Sequence, residues 1–158
     1  MYKLLLIAAL MPALALALTP VTQCPNGAPL PATVDINGCT DSPCEIENNA
    51  PLVAHGWDIV SPVDTPSLTA YISVRLAGLE VPFPIPDELV DACENGTPAG
   101  TCPVSAGQTF DYTLDHPGME LPVVGVTVQV EVGLTAEDGA DVTCVAFDAH
   151  ILPSGSLV

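Results

Sequence analysis

Leu68, Ala70, Ile72, Val74 and Leu76 share one parity, with Thr69, Tyr71, Ser73 and Arg75 between them. Val126, Val128, Val130, Val132 and Leu134 repeat the arrangement, alternating with Thr127, Gln129, Glu131 and Gly133. A period of two puts one side of an extended chain in the core and the other in water, so both runs predict strands. Phe110, Tyr112 and Leu114 give a shorter run, as do Val53, His55, Trp57 and Ile59, and Val145, Phe147, Ala149 and Ile151.

Turn-forming residues separate these runs: Pro43, Asn48-Asn49, Ser61-Pro62, Gly96 to Gly100, Pro117-Gly118 and Glu137-Asp138-Gly139. Asp138-Gly139 between two alternating runs is a hairpin signal. Beyond the first residues no segment keeps a 3.6-residue apolar period, and the 17 prolines oppose long helices. The expectation is all-β: a sandwich of about seven antiparallel strands in two sheets. Inward positions are mostly Val, Leu, Ile and Ala, so sheets that part at one end would enclose an apolar cavity of about 300–1,000 Å³. Trp57, Ile72, Val74, Val128, Val130 and Phe147 are its candidate walls.

Residues 1–17 read as a signal peptide. Lys3 supplies the positive start, Leu4 to Leu16 the apolar stretch, and Ala15-Leu16-Ala17 the small-x-small cleavage site. A single domain, residues 18–158, is then expected outside the cytosol. Six cysteines in an exported chain imply disulfides. Fifteen pairings are open. Local closure favours Cys39 with Cys44 and Cys93 with Cys102, leaving Cys24 for Cys144.

The chain carries a formal net charge of −17. After the leader, Arg75 is the only strong base against 19 carboxylates. Such a surface repels phosphate backbones, which excludes nucleic acid as a natural partner. No nucleophile elbow, zinc-protease motif or phosphate loop is present, and His55, His116 and His150 fall on separate segments. No enzyme and no metal site is expected. His55, on the apolar parity of its run, reads as a hydrogen-bonded core or sheet-edge histidine.

Binding fits the residues better than catalysis. Val81-Pro82-Phe83-Pro84-Ile85-Pro86 has a proline at every second position. Each fixes φ and removes a donor, so the stretch should be a stiff edge or loop outside the sheet interior. Val81, Phe83 and Ile85 are nevertheless apolar, as the lip of a hydrophobic cavity would be.

These residues resemble a known family. Cys39-Thr40-Asp41-Ser42-Pro43-Cys44, Val81 to Pro86, Cys93, Cys102-Pro103-Val104, Gly107, Phe110, Tyr112 and Cys144 stand in the order of the Niemann–Pick type C2 (epididymal secretory) proteins. Those proteins belong to the ML lipid-recognition family, with the mite group 2 allergens. The resemblance covers nearly the whole chain after the leader. It implies an immunoglobulin-like sandwich holding a sterol in an apolar tunnel between its sheets, and the pairing Cys24–Cys144, Cys39–Cys44 and Cys93–Cys102. Phe83 maps to the phenylalanine at the tunnel mouth, and Leu121-Pro122 to the opposite lip, where sterol carriers have Tyr-Pro. Val132 and Val145 stand where vertebrate sterol carriers have tryptophans. Smaller walls imply a roomier or differently shaped pocket, open to sterols, fatty acids or other apolar lipids.

The resemblance thus implies a secreted sterol carrier, with no cofactor beyond the bound lipid. A monomer is expected, with a sterol-accepting membrane receptor as further partner, in extracellular fluid or the endosomal–lysosomal lumen. The alternative role is an innate-immune or chemosensory protein that presents a lipid. Asn95-Gly96-Thr97 is the glycosylation sequon, making Asn95 the candidate site.

Overall fold

The computed structural model describes residues 18–118 and 120–156. The signal-peptide assignment, residues 1–17, lies outside the described residues. Nine strands and one short helix follow in order: β1 (Thr22–Gln23), β2 (Thr33–Ile36), β3 (Cys44–Glu47), β4 (Leu52–Val60), β5 (Leu68–Leu76), β6 (Leu79–Phe83), α1 (Asp87–Val90), β7 (Thr109–His116), β8 (Thr127–Ala136) and β9 (Asp141–Leu152).

Two sheets pack face to face. The larger runs β1-β9-β8-β5-β6, with β3 also on β9, and the smaller runs β2-β4-β7. The long alternating runs become β5, β8 and β9, whose inward side chains Leu68, Ala70, Ile72, Val74, Val128, Val130, Val132, Leu134, Val145, Phe147, Ala149 and Ile151 are all buried. Opposite them lie Val34, Ile36, Leu52, Ala54, Ile59, Phe110, Tyr112 and Leu114. Each Val, Leu or Ile removed from water this completely contributes about 1.5–3 kcal/mol. The Asp138-Gly139 signal becomes the β8–β9 hairpin, with Gly139 at φ 85° and Ala136 N–H donating to the Ala140 carbonyl at 2.8 Å.

The expected all-β sandwich of two sheets is what forms, and three details differ. Nine strands form among the described residues where about seven were expected, because β1, β2 and β3 are too short for their alternation to stand out. Pairing is not wholly antiparallel: β3 runs parallel to β9 from Cys44↔Ala149 to Glu47↔Leu152. After leaving the small sheet at β2, the chain turns at the Cys39–Cys44 loop and joins the large sheet beside its last strand.

The third correction concerns β4. Leu52 and Ala54 are buried, Trp57 is 36% exposed, and Ile59 is buried again. The pairing with β7 shifts between Gly56 and Ile59, and Asp58 sits at φ 52° with its N–H bonded to Asp111 Oδ1 at 2.9 Å. This bulge inserts one extra residue and reverses the parity on its two sides. Counting back from Ile59 therefore puts Trp57, His55 and Val53 on the wrong face. Trp57 stacks on His55 outside the sandwich, ring centroids 5.4 Å apart, and is not a cavity wall.

The disulfides pair Cys24–Cys144, Cys39–Cys44 and Cys93–Cys102. The first closes a separation of 120 residues. In the chain-entropy picture a loop that long stabilises by about 4–5 kcal/mol. Val81 to Phe83 complete the edge strand β6, pairing Val81 with Val74, Pro82 with Ser73 and Phe83 with Ile72. An edge position is where a strand tolerates proline. The proline run ends at Pro86, which leads into the single turn α1.

Candidate functional site

The two sheets meet along two lateral edges, and the edges differ. On one, β6 of the large sheet faces β7 of the small. The Phe83 ring lies tilted against His116, centroids 5.9 Å apart. His116 is buried; its Nδ1 accepts the Gly118 N–H at 3.2 Å, and its Nε2 has no hydrogen-bond partner. Burial lowers the His116 pKa, and the neighbouring Pro84 carbonyl opposes that shift in part. Asn48 pins Leu121 nearby through both backbone groups: its Nδ2 donates to the Leu121 carbonyl at 3.1 Å, and its Oδ1 accepts the Leu121 N–H at 2.8 Å. Leu121 is thereby buried while Pro122 stays exposed, and Ile85 is half-buried.

On the other edge β9 faces β2, and residues 29–32 cross between the sheets. The Pro29 carbonyl accepts Thr143 Oγ1 at 2.8 Å and the Cys144 N–H at 3.2 Å, while the Ala32 N–H donates to the Trp57 carbonyl at 3.0 Å. Behind this strap lies an apolar cavity between the sheets. Val34, Ala54 and Ile59 wall it from the small sheet, and Val132, Leu134 and Val145 from the large. Val132 and Val145 are direct cross-strand partners, so two small side chains stand side by side where larger ones would fill the gap. Gly56 belongs to the same thinning: a Cβ there would come within 3.3 Å of Pro31 Cγ.

The lining runs from Pro31 at the β2/β9 edge across β4 to Tyr112 on β7. Tyr112 is only 6% exposed, and no protein group partners its hydroxyl. Burial raises its pKa, so the phenol is uncharged. Of the other polar linings, Thr143 donates to the Pro29 carbonyl, while the His55 ring lies on the outer face, its Nδ1 paired with Thr113 Oγ1 at 2.9 Å. Glycine at position 96 lets the Tyr112 ring take its place. With φ 117°, a Cβ at Gly96 would stand 2.4 Å from the Thr113 carbonyl oxygen and 2.6 Å from the ring.

The cavity measures about 30 Å³. That is room for about one water, and some tenfold below the smallest typical ligand pocket. It lies behind Pro31, at the β2/β9 edge.

Across residues 19–151 the chain matches the family model described as ML domain. It belongs to the ML-domain family. Curated relatives include "NPC intracellular cholesterol transporter 2" of Danio rerio, 29% identical over 120 residues covering 75% of each chain. They also include "NPC intracellular cholesterol transporter 2 homolog a" of Drosophila melanogaster, 30% identical over 123 residues, 75% of this chain and 77% of the relative. Among solved structures, a Niemann-Pick type C2 protein from the Japanese carpenter ant superposes with a TM-score of 0.68 at 19% identity, covering 84% of this chain and 99% of that one.

Within this ML sandwich the sequence-derived site residues divide into groups. Val132 and Val145 line the cavity. Phe83, Ile85, Leu121 and Pro122 belong to the β6/β7 side, with Val81 and Pro82 in its edge strand. Ile72, Val74, Val128, Val130 and Phe147 are packed core. Tyr112, Gly56, Pro31 and Asn48 were missed. Their roles depend on what lies across the sandwich, and no spacing along the chain reports that.

Proposed function

We propose that this ML-domain protein carries a small apolar lipid between its two sheets, with a sterol the first candidate. The carrying observation is the apolar cavity enclosed by both layers, its walls thinned at Val132, Val145 and Gly56. The relationship to cholesterol transporters of fish and fly supports the sterol. At about 30 Å³ the cavity is a starting point, and loading requires the layers to part. Valine, leucine, isoleucine and alanine walls hold each other by non-directional contacts, which a hydrocarbon guest replaces in kind.

The reading extends to the rest of the chain. Residues 1–17 direct export, and residues 18–158 form the secreted domain. Three disulfides are what an oxidising compartment produces. Transfer to a sterol-accepting membrane receptor would follow from a monomeric carrier, and exposed Asn95 would bear the glycan.

Organic extraction of the purified protein should release a co-purified lipid, and a fluorescent sterol should bind saturably. Neither occurring, across sterols and fatty acids, refutes the carrier. Phe83→Asp places a charge at the β6/β7 lip and should weaken uptake about tenfold or more if lipid passes there. Unchanged affinity removes Phe83 from the route.

A further inference from the structure

We infer that the outer face of the small sheet is a docking surface for a basic protein partner, and that Trp57 with its flanking aspartates takes an arginine side chain of that partner. The inference stands apart from the carrier reading, since nothing in it touches the space between the sheets.

The sequence contains one tryptophan, and the fold puts it outside. The β4 bulge aims it there, with the Asp58 backbone held at φ 52° by the Asp111 carboxylate. The indole is not left loose. It stacks on His55 at an interplanar angle of 16°, and His55 is fixed in turn through Nδ1 to Thr113 Oγ1 at 2.9 Å. A large aromatic surface left at water and braced by a second ring is the kind of anchor that protein interfaces use.

Charge says what meets it. Asp35 on β2 stands directly across from His55, and Asp115 on β7 directly across from Val53, the neighbour of His55 on this face. Asp111 on β7 faces the bulge, one of its oxygens accepting the Asp58 N–H. Carboxylates thus border the aromatic pair on both sides, since directly opposed cross-strand residues have Cβ atoms about 4.5–5.5 Å apart. Among the described residues the only Lys or Arg is Arg75, and it lies on the outer face of the other sheet. There its Nε donates to Glu131 at 2.8 Å and its Nη2 to Glu80 at 2.7 Å. The Trp57 face therefore has no cation of its own, and a second copy of the chain has none free to offer. An anionic membrane surface is repelled. A guanidinium both stacks on an indole and gives paired hydrogen bonds to a carboxylate, which a lysine ammonium cannot match.

The lone tryptophan is its own probe. Its fluorescence in the purified protein is titrated with the peptide acetyl-Gly-Arg-Gly-Arg-Gly-amide and with the same peptide carrying lysine. The salt is about 0.15 M, where exposed charges more than about 8 Å apart are largely screened. The arginine peptide should bind saturably and about tenfold more tightly than the lysine peptide. In calorimetry, which needs no tryptophan, Trp57→Ala should weaken it about tenfold and Trp57→Tyr much less. Asp35→Asn should weaken it about threefold, as expected for one exposed charge pair. Asp148→Asn, on the outer face of the large sheet, should leave it unchanged.

No saturable binding overturns the inference. So does equal affinity for the two peptides, or equal weakening by Asp35→Asn and Asp148→Asn, which makes the attraction diffuse. Saturable quenching by neutral chitotetraose would make the face a sugar platform, and dimerisation abolished by Trp57→Ala would make it a self-association surface. Either result overturns the basic partner. Lipid extraction is scored separately on the same preparations, so failure of the carrier leaves this outcome readable.

Discussion

The β6/β7 edge and the β2/β9 edge solve the same problem in opposite ways. Each must close a gap between two sheets whose inner faces are built from similar aliphatic side chains. The first does it with volume: Phe83 lies against His116, and Asn48 holds Leu121 in place through two hydrogen bonds. The second does it with backbone. Residues 29–32 strap the layers together, and behind them valines and glycine leave the interior thin. A lip shut by side chains opens by rotamer changes, whereas a strap held by backbone hydrogen bonds opens only by moving chain. The comparison separates two candidate routes for a lipid, one through the proline-rich lip and one past Pro31.

The largest expected effect comes from filling the thin edge. Val145→Trp adds bulk to the cavity, overpacks the sandwich by about 1–3 kcal/mol in chemical denaturation, and should cut lipid uptake at least tenfold. Undiminished uptake would show that the ligand enters by the β6/β7 lip and does not occupy the space beside Val145. Next in size is Asn48→Ala at the lip. Losing both bonds to Leu121 should cost about 1–3 kcal/mol and loosen the closed edge. Its uptake rate, measured by stopped-flow sterol fluorescence, should rise if that edge is a route. An unchanged rate with the stability loss would leave Asn48 a structural clamp only.

The smallest effect is pH-dependent. Because burial lowers the His116 pKa in the folded protein, its stabilising contribution is complete above the ordinary histidine value, about 6.5. It is lost progressively as pH falls through the lower folded value. His116→Leu should therefore narrow the difference in unfolding free energy between pH 7.5 and pH 5.5 relative to wild type. An identical difference in the two proteins would remove His116 from the acid response of the lip.

Trp57 shows where reading from the chain stops. Period-two alternation was sufficient for β5, β8 and β9, because an unbroken strand keeps its parity along its whole length. In β4 one inserted residue reversed that parity, and the signal for it is an Asp58 backbone held at φ 52° by Asp111 on another strand. No residue adjacent in sequence announces it. The proline-rich segment was legible as a stiff edge for the contrary reason: proline acts through its own φ and missing N–H, wherever the rest of the chain lies.

Alone, the order of residues determined the all-β class, the long inward faces, the edge role of Val81 to Phe83 and, through its motif order, the family expectation. These follow from local rules of parity, proline geometry and cysteine spacing. Tertiary structure decided which edge is thin, that the strap from Pro29 to Ala32 crosses it, and that the Tyr112 hydroxyl is buried with no protein group to bond. Those depend on side chains brought together from β2, β4, β7, β8 and β9. A cavity is a property of what fails to meet across two layers, and that is set only when the layers are packed.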